Sequence, residues 1–127
     1  MLIRNILEES VRKFDEVKAV KWLNKKEIME RSYGELMENV VSTRKGLLAE
    51  GFEGKHIALI GTSSVEWMES YLGIITGCTT AVPLDAALPC EDLIDLLNRS
   101  DSVALFLSPK LKPYLDAFLE NCPKLQK

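Results

Sequence analysis

The segment from Gly54 to Asp85, GKHIALIGTSSVEWMESYLGIITGCTTAVPLD, constrains the fold more than any other part of the chain. His56 to Ile60 is an apolar run of strand length, and the polar turn Gly61-Thr62-Ser63-Ser64 follows it. Trp67, Met68, Tyr71, Leu72 and Ile75 then recur at helical spacing, which predicts an amphipathic helix. Ser63 is the expected N-cap, with Glu66 three residues on as its capping-box partner. Gly77 punctuates the helix end, and Thr79 to Leu84 reads as a second strand, with Pro83 near its end where no ladder donor is needed. Strand, helix and strand in this order form a βαβ unit, whose strands lie parallel across a right-handed crossover.

The flanking sequence extends the pattern. Asn5 and Glu8 are spaced as a capping box opening a first helix, with Ile6, Leu7, Ser10, Val11 and Phe14 on its inward face. Val17 to Leu23 is expected to be a strand, Asn24-Lys25-Lys26 a turn, and Glu27 to Arg31 a strand pairing back as a hairpin. Ser32 and Glu35 form another capping box. The helix they open carries Tyr33, Leu36, Met37, Val40, Val41, Leu47 and Leu48 on one face, and Gly51 sits just past its end. Beyond the βαβ unit, Pro89 at the first helical position and Glu91 and Asp92 in the first turn start a helix with Leu93, Ile94, Leu96 and Leu97 facing inward. Ser102 to Leu107 is nearly all apolar, as a strand covered on both faces should be. Ser108-Pro109 opens a last helix burying Leu111, Tyr114, Leu115, Phe118 and Leu119, and Pro123 to Lys127 reads as a tail. The fold class is therefore α/β: a three-layer parallel or mixed sheet with flanking helices and an N-terminal hairpin, expected as one domain over residues 1–127.

Composition narrows function by exclusion. The chain has 127 residues and a net charge of −3, with acidic and basic residues interleaved. No basic stripe marks a nucleic-acid or lipid surface, and no apolar run reaches the roughly 18 residues of a membrane span. Glu8 and Glu9 stand where a signal peptide would need its apolar stretch. Cys78, Cys90 and Cys122 form neither a CxxC pair nor a disulfide framework, which suits reduced thiols and a cytoplasmic setting.

Three motifs then match a known family. Arg31-Ser32-Tyr33-Gly34-Glu35-Leu36 resembles the first motif of the adenylate-forming superfamily, Ser64-Val65-Glu66-Trp67 resembles a segment common in its acyl-CoA synthetases, and Gly77 to Asp85 resembles the second motif with its Pro-Leu-Asp ending. They occur in the family's order and spacing, and the resemblance covers essentially the whole chain. It implies an N-terminal part of the AMP-forming acyl-CoA synthetase fold. Thr62, Thr76, Cys78, Thr79 and Thr80 depart from the usual residues, which leaves the subfamily open. The Gly-rich phosphate loop, the nucleotide-holding motifs and the small C-terminal domain of such enzymes have no counterpart in this sequence. The chain is accordingly expected to be an N-terminal piece, either an excised domain or the product of a shortened gene.

Candidate sites are weighed against plainer roles. Gly61 to Ser64 follows a strand and opens a helix, where an anion could bind, but Ser63 and Glu66 account for the turn as a cap. Ser32, Tyr33 and Glu35 are residue types a cap requires. Asp85 lies at a strand's carboxyl end, where open α/β sheets bind ligands, and is also a common turn former. His56 is the only histidine and lacks partner ligands for a metal. Cys78 is expected to be packed and inert. Trp67 and Tyr71 are expected in core or interface. No residue is assigned a catalytic, cofactor-binding or metal-binding role.

The function expected is structural. The resemblance implies a parent that joins a carboxylic acid, by preference a fatty acid, to ATP with Mg²⁺, and passes the acyl group to CoA. The piece itself is expected to be inactive, to bind no cofactor, to partner the rest of the synthetase, and to expose an apolar surface able to self-associate. The alternative is a stand-alone α/β binding or interaction module derived from that fold, with a surface sealed by charge.

Overall fold

The computed structural model describes residues 2–127. Five helices and five strands follow in the order α1 (Ile3–Phe14), β1 (Lys18–Asn24), β2 (Glu27–Ser32), α2 (Tyr33–Ala49), β3 (His56–Ile60), α3 (Val65–Ile75), β4 (Thr80–Leu84), α4 (Cys90–Arg99), β5 (Ser102–Leu107) and α5 (Leu115–Asn121). A 3-10 segment, Pro109–Tyr114, precedes α5. β1 and β2 pair antiparallel as a separate hairpin, while β3, β4 and β5 form an all-parallel sheet in the order β4-β3-β5. Parallel pairing is what short strands joined by helical crossovers must adopt.

Alternation along the central strand divides the core in two. Ile57 packs with Leu47 of α2 and Ile74 of α3 on one face. Ala58 and Ile60 pack with Leu93 and Leu97 of α4 and Phe118 of α5 on the other. Ile57, Ala58 and Ile60 are fully buried, and burying each isoleucine is worth about 1.5–3 kcal/mol. The sheet is thus the middle layer of three.

Helix ends follow their cap chemistry. Ser32 Oγ accepts from the Glu35 N–H at 3.1 Å, and the Glu35 carboxylate accepts from the Ser32 N–H at 3.3 Å. These bonds hold the Glu35 carboxyl below the usual range. At the far end of α2, Gly51 has φ +78°, the Phe52 N–H donates to Leu47 O, and the Gly51 N–H donates to Leu48 O. This is a Schellman closure, and Phe52 and Leu47 complete it by packing in the same core cluster. The hairpin turn has no glycine, so Lys25 takes the left-handed conformation at φ 57°.

Several expectations are corrected. α1 begins at Ile3 with Leu2 at the cap and no side-chain cap bond, so Asn5 is inside the helix. None of its residues is buried, and Ile6 and Phe14 are exposed. On α3 the buried positions are Val65, Glu69, Gly73 and Ile74; the expected apolar face, including Trp67 and Tyr71, is only half-buried. Leu48 and Leu119 are exposed. Proline at 109 and again at 113 keeps the start of the last helix in 3-10 form. The final residues are not a free tail: the Gln126 N–H donates to Val103 O at 2.7 Å, and the Leu105 N–H donates to Lys127 O at 3.1 Å, along the edge of β5.

α2 and α3 approach closely at Gly73. A Cβ there would stand 2.5 Å from Thr43 Cβ and 2.6 Å from its methyl. Gly73→Ala is therefore expected to destabilise the protein by about 1–3 kcal/mol through overpacking. Urea unfolding would read this as a lower midpoint at constant slope; an unchanged midpoint would contradict the close approach.

Candidate functional site at the carboxyl edge of the sheet

Open parallel sheets bind ligands beyond the carboxyl ends of their strands, and this edge holds two adjoining clefts. The larger, about 740 Å³, lies beyond β3 and β5 between Leu59, Trp67, Phe106, Ser108 and the hairpin residue Asn24. The smaller, about 530 Å³, lies beyond β3 and β4 between Thr62, Ser63, Leu84 and Asp85. Trp67 borders both. Volumes of this size suit small-molecule ligands.

The rim is set by backbone constraints. Leaving β3, the chain passes Gly61, where a Cβ would collide with the Ser108 hydroxyl. Glycine therefore lets the ends of β3 and β5 converge. Ser108 binds the junction twice: its N–H donates to Ile60 O at 3.0 Å, and its Oγ accepts from the Thr62 N–H at 3.1 Å. α3 starts next. Its cap is Ser64, whose Oγ accepts from the Trp67 N–H at 3.1 Å, so Ser63 and Glu66 do not form the expected box. Trp67 and Tyr71 stack, with centroids 5.2 Å apart and planes 11° from parallel.

Asp85 has the turn role. Its Oδ1 accepts from the Ala87 N–H at 2.9 Å, an Asx turn that leads the chain out of β4. The structure brings Asp85, Ser63, Ser64 and Trp67 to one edge of the sheet. It places His56 at the opposite, amino-terminal end of β3, where its Nδ1 lies 2.7 Å from Ser100 O. Ser32 and Glu35 are engaged with each other at the start of α2. Cys78, expected to be packed, is exposed at the turn before β4, whereas Cys122 is buried and its thiol is pushed up by burial, with Cys90 adding to the effect. Among the described residues, no group of three or more His, Cys, Asp or Glu is placed to hold a metal ion.

One group escaped the sequence reading. Glu69 of α3 is buried, with 6% of its side chain exposed, and Arg31 of β2 grips both its oxygens at 2.8 Å. Asn39 Nδ2 of α2 donates to the same carboxylate at 2.6 Å, and the Arg31 guanidinium lies 5.3 Å from the centre of the Trp22 ring. The pair spans 38 residues of sequence. Its only signal was an acidic residue within the apolar stretch of α3.

With this geometry in place, comparison with known proteins is decisive. The family model described as AMP-binding enzyme matches residues 7–127. The chain belongs to this family. No curated protein matches it. Among solved structures, an anthranilate CoA ligase in complex with anthranoyl-AMP superposes with a TM-score of 0.87 at 19% identity, over 99% of this chain and 24% of that one. The N-terminal domain of FACL13 from Mycobacterium tuberculosis gives 0.87 at 19% identity, over 98% and 32%. A Mycobacterium tuberculosis fatty acyl CoA synthetase gives 0.80 at 20% identity, over 91% and 23%. These structures share the fold, and the chain spans about a quarter to a third of their length. No helix among the described residues is long and apolar enough to cross a membrane.

The cap assignment is directly testable. Ser64→Ala is expected to cost about 1 kcal/mol of stability, and Ser63→Ala less than about 0.5 kcal/mol, both by chemical denaturation. The reverse order would return the cap to Ser63.

Proposed function

We propose that residues 1–127 form a structural wall of the N-terminal domain of an AMP-forming acyl-CoA ligase. The observation that carries this reading is the AMP-binding enzyme match over residues 7–127. The superposition on CoA ligases supports it at the level of fold.

In the whole enzyme, a carboxylate oxygen attacks the α-phosphorus of ATP and pyrophosphate leaves. The thiol sulfur of CoA then attacks the acyl carbon and AMP leaves. Mg²⁺ offsets charge on the phosphates in such chemistry, and positioning supplies much of the rate. The proposed substrate is a fatty acid. The contribution of these residues is shape: the convergent ends of β3 and β5, the capped start of α3 and the Asx turn after β4 build one rigid rim for that domain. Three of the rim side chains are committed to structural bonds: Ser108 to the Thr62 N–H, Ser64 to the Trp67 N–H and Asp85 to the Ala87 N–H.

The remainder of the ligase is the partner we propose for the apolar side chains left in water. Leu2, Ile3, Ile6 and Phe14 of the α1 region, and Leu23 and Ile28 of the hairpin, are all exposed. A charge-sealed module would not present them, and without a cover they favour self-association. The reading carries a cytoplasmic setting, where the three free thiols stay reduced.

The test is ATP–pyrophosphate exchange by purified protein comprising residues 1–127, with Mg²⁺ and a panel of fatty and aromatic acids. The expected result is exchange no faster than a protein-free blank. Acid-dependent exchange above that blank would overturn the scaffold role.

A further inference from the structure

We propose that the β1–β2 hairpin is a strap over the larger carboxyl-edge cleft, latched by the Arg31–Glu69 ion pair and able to open as a unit. This does not rest on the ligase reading. The hairpin forms no ladder with the main sheet. Near its tip Leu23 and Ile28 face each other across the strands with 69% and 72% of their surfaces exposed. An isolated two-stranded ribbon is marginally stable in water, so what holds this one in place is its contact with the body.

That contact is concentrated. Among the ion pairs of the described residues, only Arg31–Glu69 has a buried carboxylate. Arg31 Nη1 donates to both oxygens of that carboxylate at 2.8 Å while the guanidinium lies over Trp22 of the neighbouring strand, so one side chain ties both strands to α3. Hydrogen bonds between ionised groups are roughly twice as strong as neutral ones. The same pair suits reversible opening, because parting the hairpin from the body returns both charges to water and recovers their solvation. At the base, the Tyr33 N–H donates to Val17 O and the Gly34 N–H to Asp15 O, which leaves a hydrogen-bonded hinge. The tip residue Asn24 lines the cleft beside Thr62, Ser64 and Trp67. Movement of the strap therefore withdraws Asn24, its one residue in the lining, from that cleft.

Native-state hydrogen exchange of the whole chain at low denaturant tests this. In the wild-type protein, hairpin amides are expected to exchange through an opening that leaves β3 and β5 protected. In the Arg31→Ala/Glu69→Gln double variant, which removes the pair without putting an apolar contact in its place, hairpin exchange should rise about tenfold or more with sheet exchange unchanged, as for a locally cooperative unit. Arg31→Lys, which keeps the charge and loses the planar guanidinium over Trp22, should fall between. A single common rate for hairpin and sheet in the wild type, or unchanged hairpin exchange in the variants, would overturn the proposal. Cover over the cleft is read separately. In a Trp22→Phe background, acrylamide quenching of Trp67 should increase when Arg31→Ala/Glu69→Gln is added. Equal quenching would remove the strap from the cleft. Should the variants fail to fold, the wild-type exchange pattern decides.

Discussion

A carboxylate buried where α3 meets α2 and the hairpin is the constraint on which the arrangement of this protein depends. Glu69 sits at 6% side-chain exposure where α3 meets α2 and the hairpin. An unpaired charge there would be untenable, and removing one partner of a buried pair typically costs about 3–5 kcal/mol. Arg31 and Asn39 therefore have to be where they are, and they come from β2 and α2. One turn further along α3, Gly73 admits the Thr43 side chain and sets the distance between the two helices. The two positions together lock α3 against α2 and bring the hairpin with them.

The cleft geometry follows from that lock. α3 is the crossover between β3 and β4, so fixing it places its capped N-terminus, with Trp67, at the carboxyl edge of the sheet. Gly61 and Ser108 bring the neighbouring strand ends together beside it. The edge that open α/β folds use for ligands is thereby assembled from short-range bonds, and the hairpin reaches it through Asn24.

What was legible in the sequence is what local chemistry dictates. β3 and β5 lie at the residues their apolar runs mark, and Ser32 and Glu35 form the box their spacing predicts. The hairpin forms although Glu, Lys and Met are poor strand residues, because cross-strand pairs such as Trp22 with Met29 and Lys21 with Glu30 compensate. What was not legible depends on tertiary contact. Ser63 and Ser64 both offer a cap hydroxyl, and the phase of α3 is set instead by Val65 and Glu69 pointing inward. α1 has a helical apolar pattern, yet nothing among the described residues buries it. Residues 123–127 look like a tail by composition, and it is the open edge of β5 that gives their backbone ladder bonds to make. The Arg31–Glu69 pair could not be read because its partners are distant in sequence and ordinary in type.

The central claim is that this ion pair joins the hairpin to the body, and a double-mutant cycle measures it most directly. Unfolding free energies of the wild type, Arg31→Met, Glu69→Leu and the double variant give the coupling. The account predicts about 1 kcal/mol or more, within the range for residues in direct contact. Single effects that add to within about 0.3 kcal/mol would contradict it.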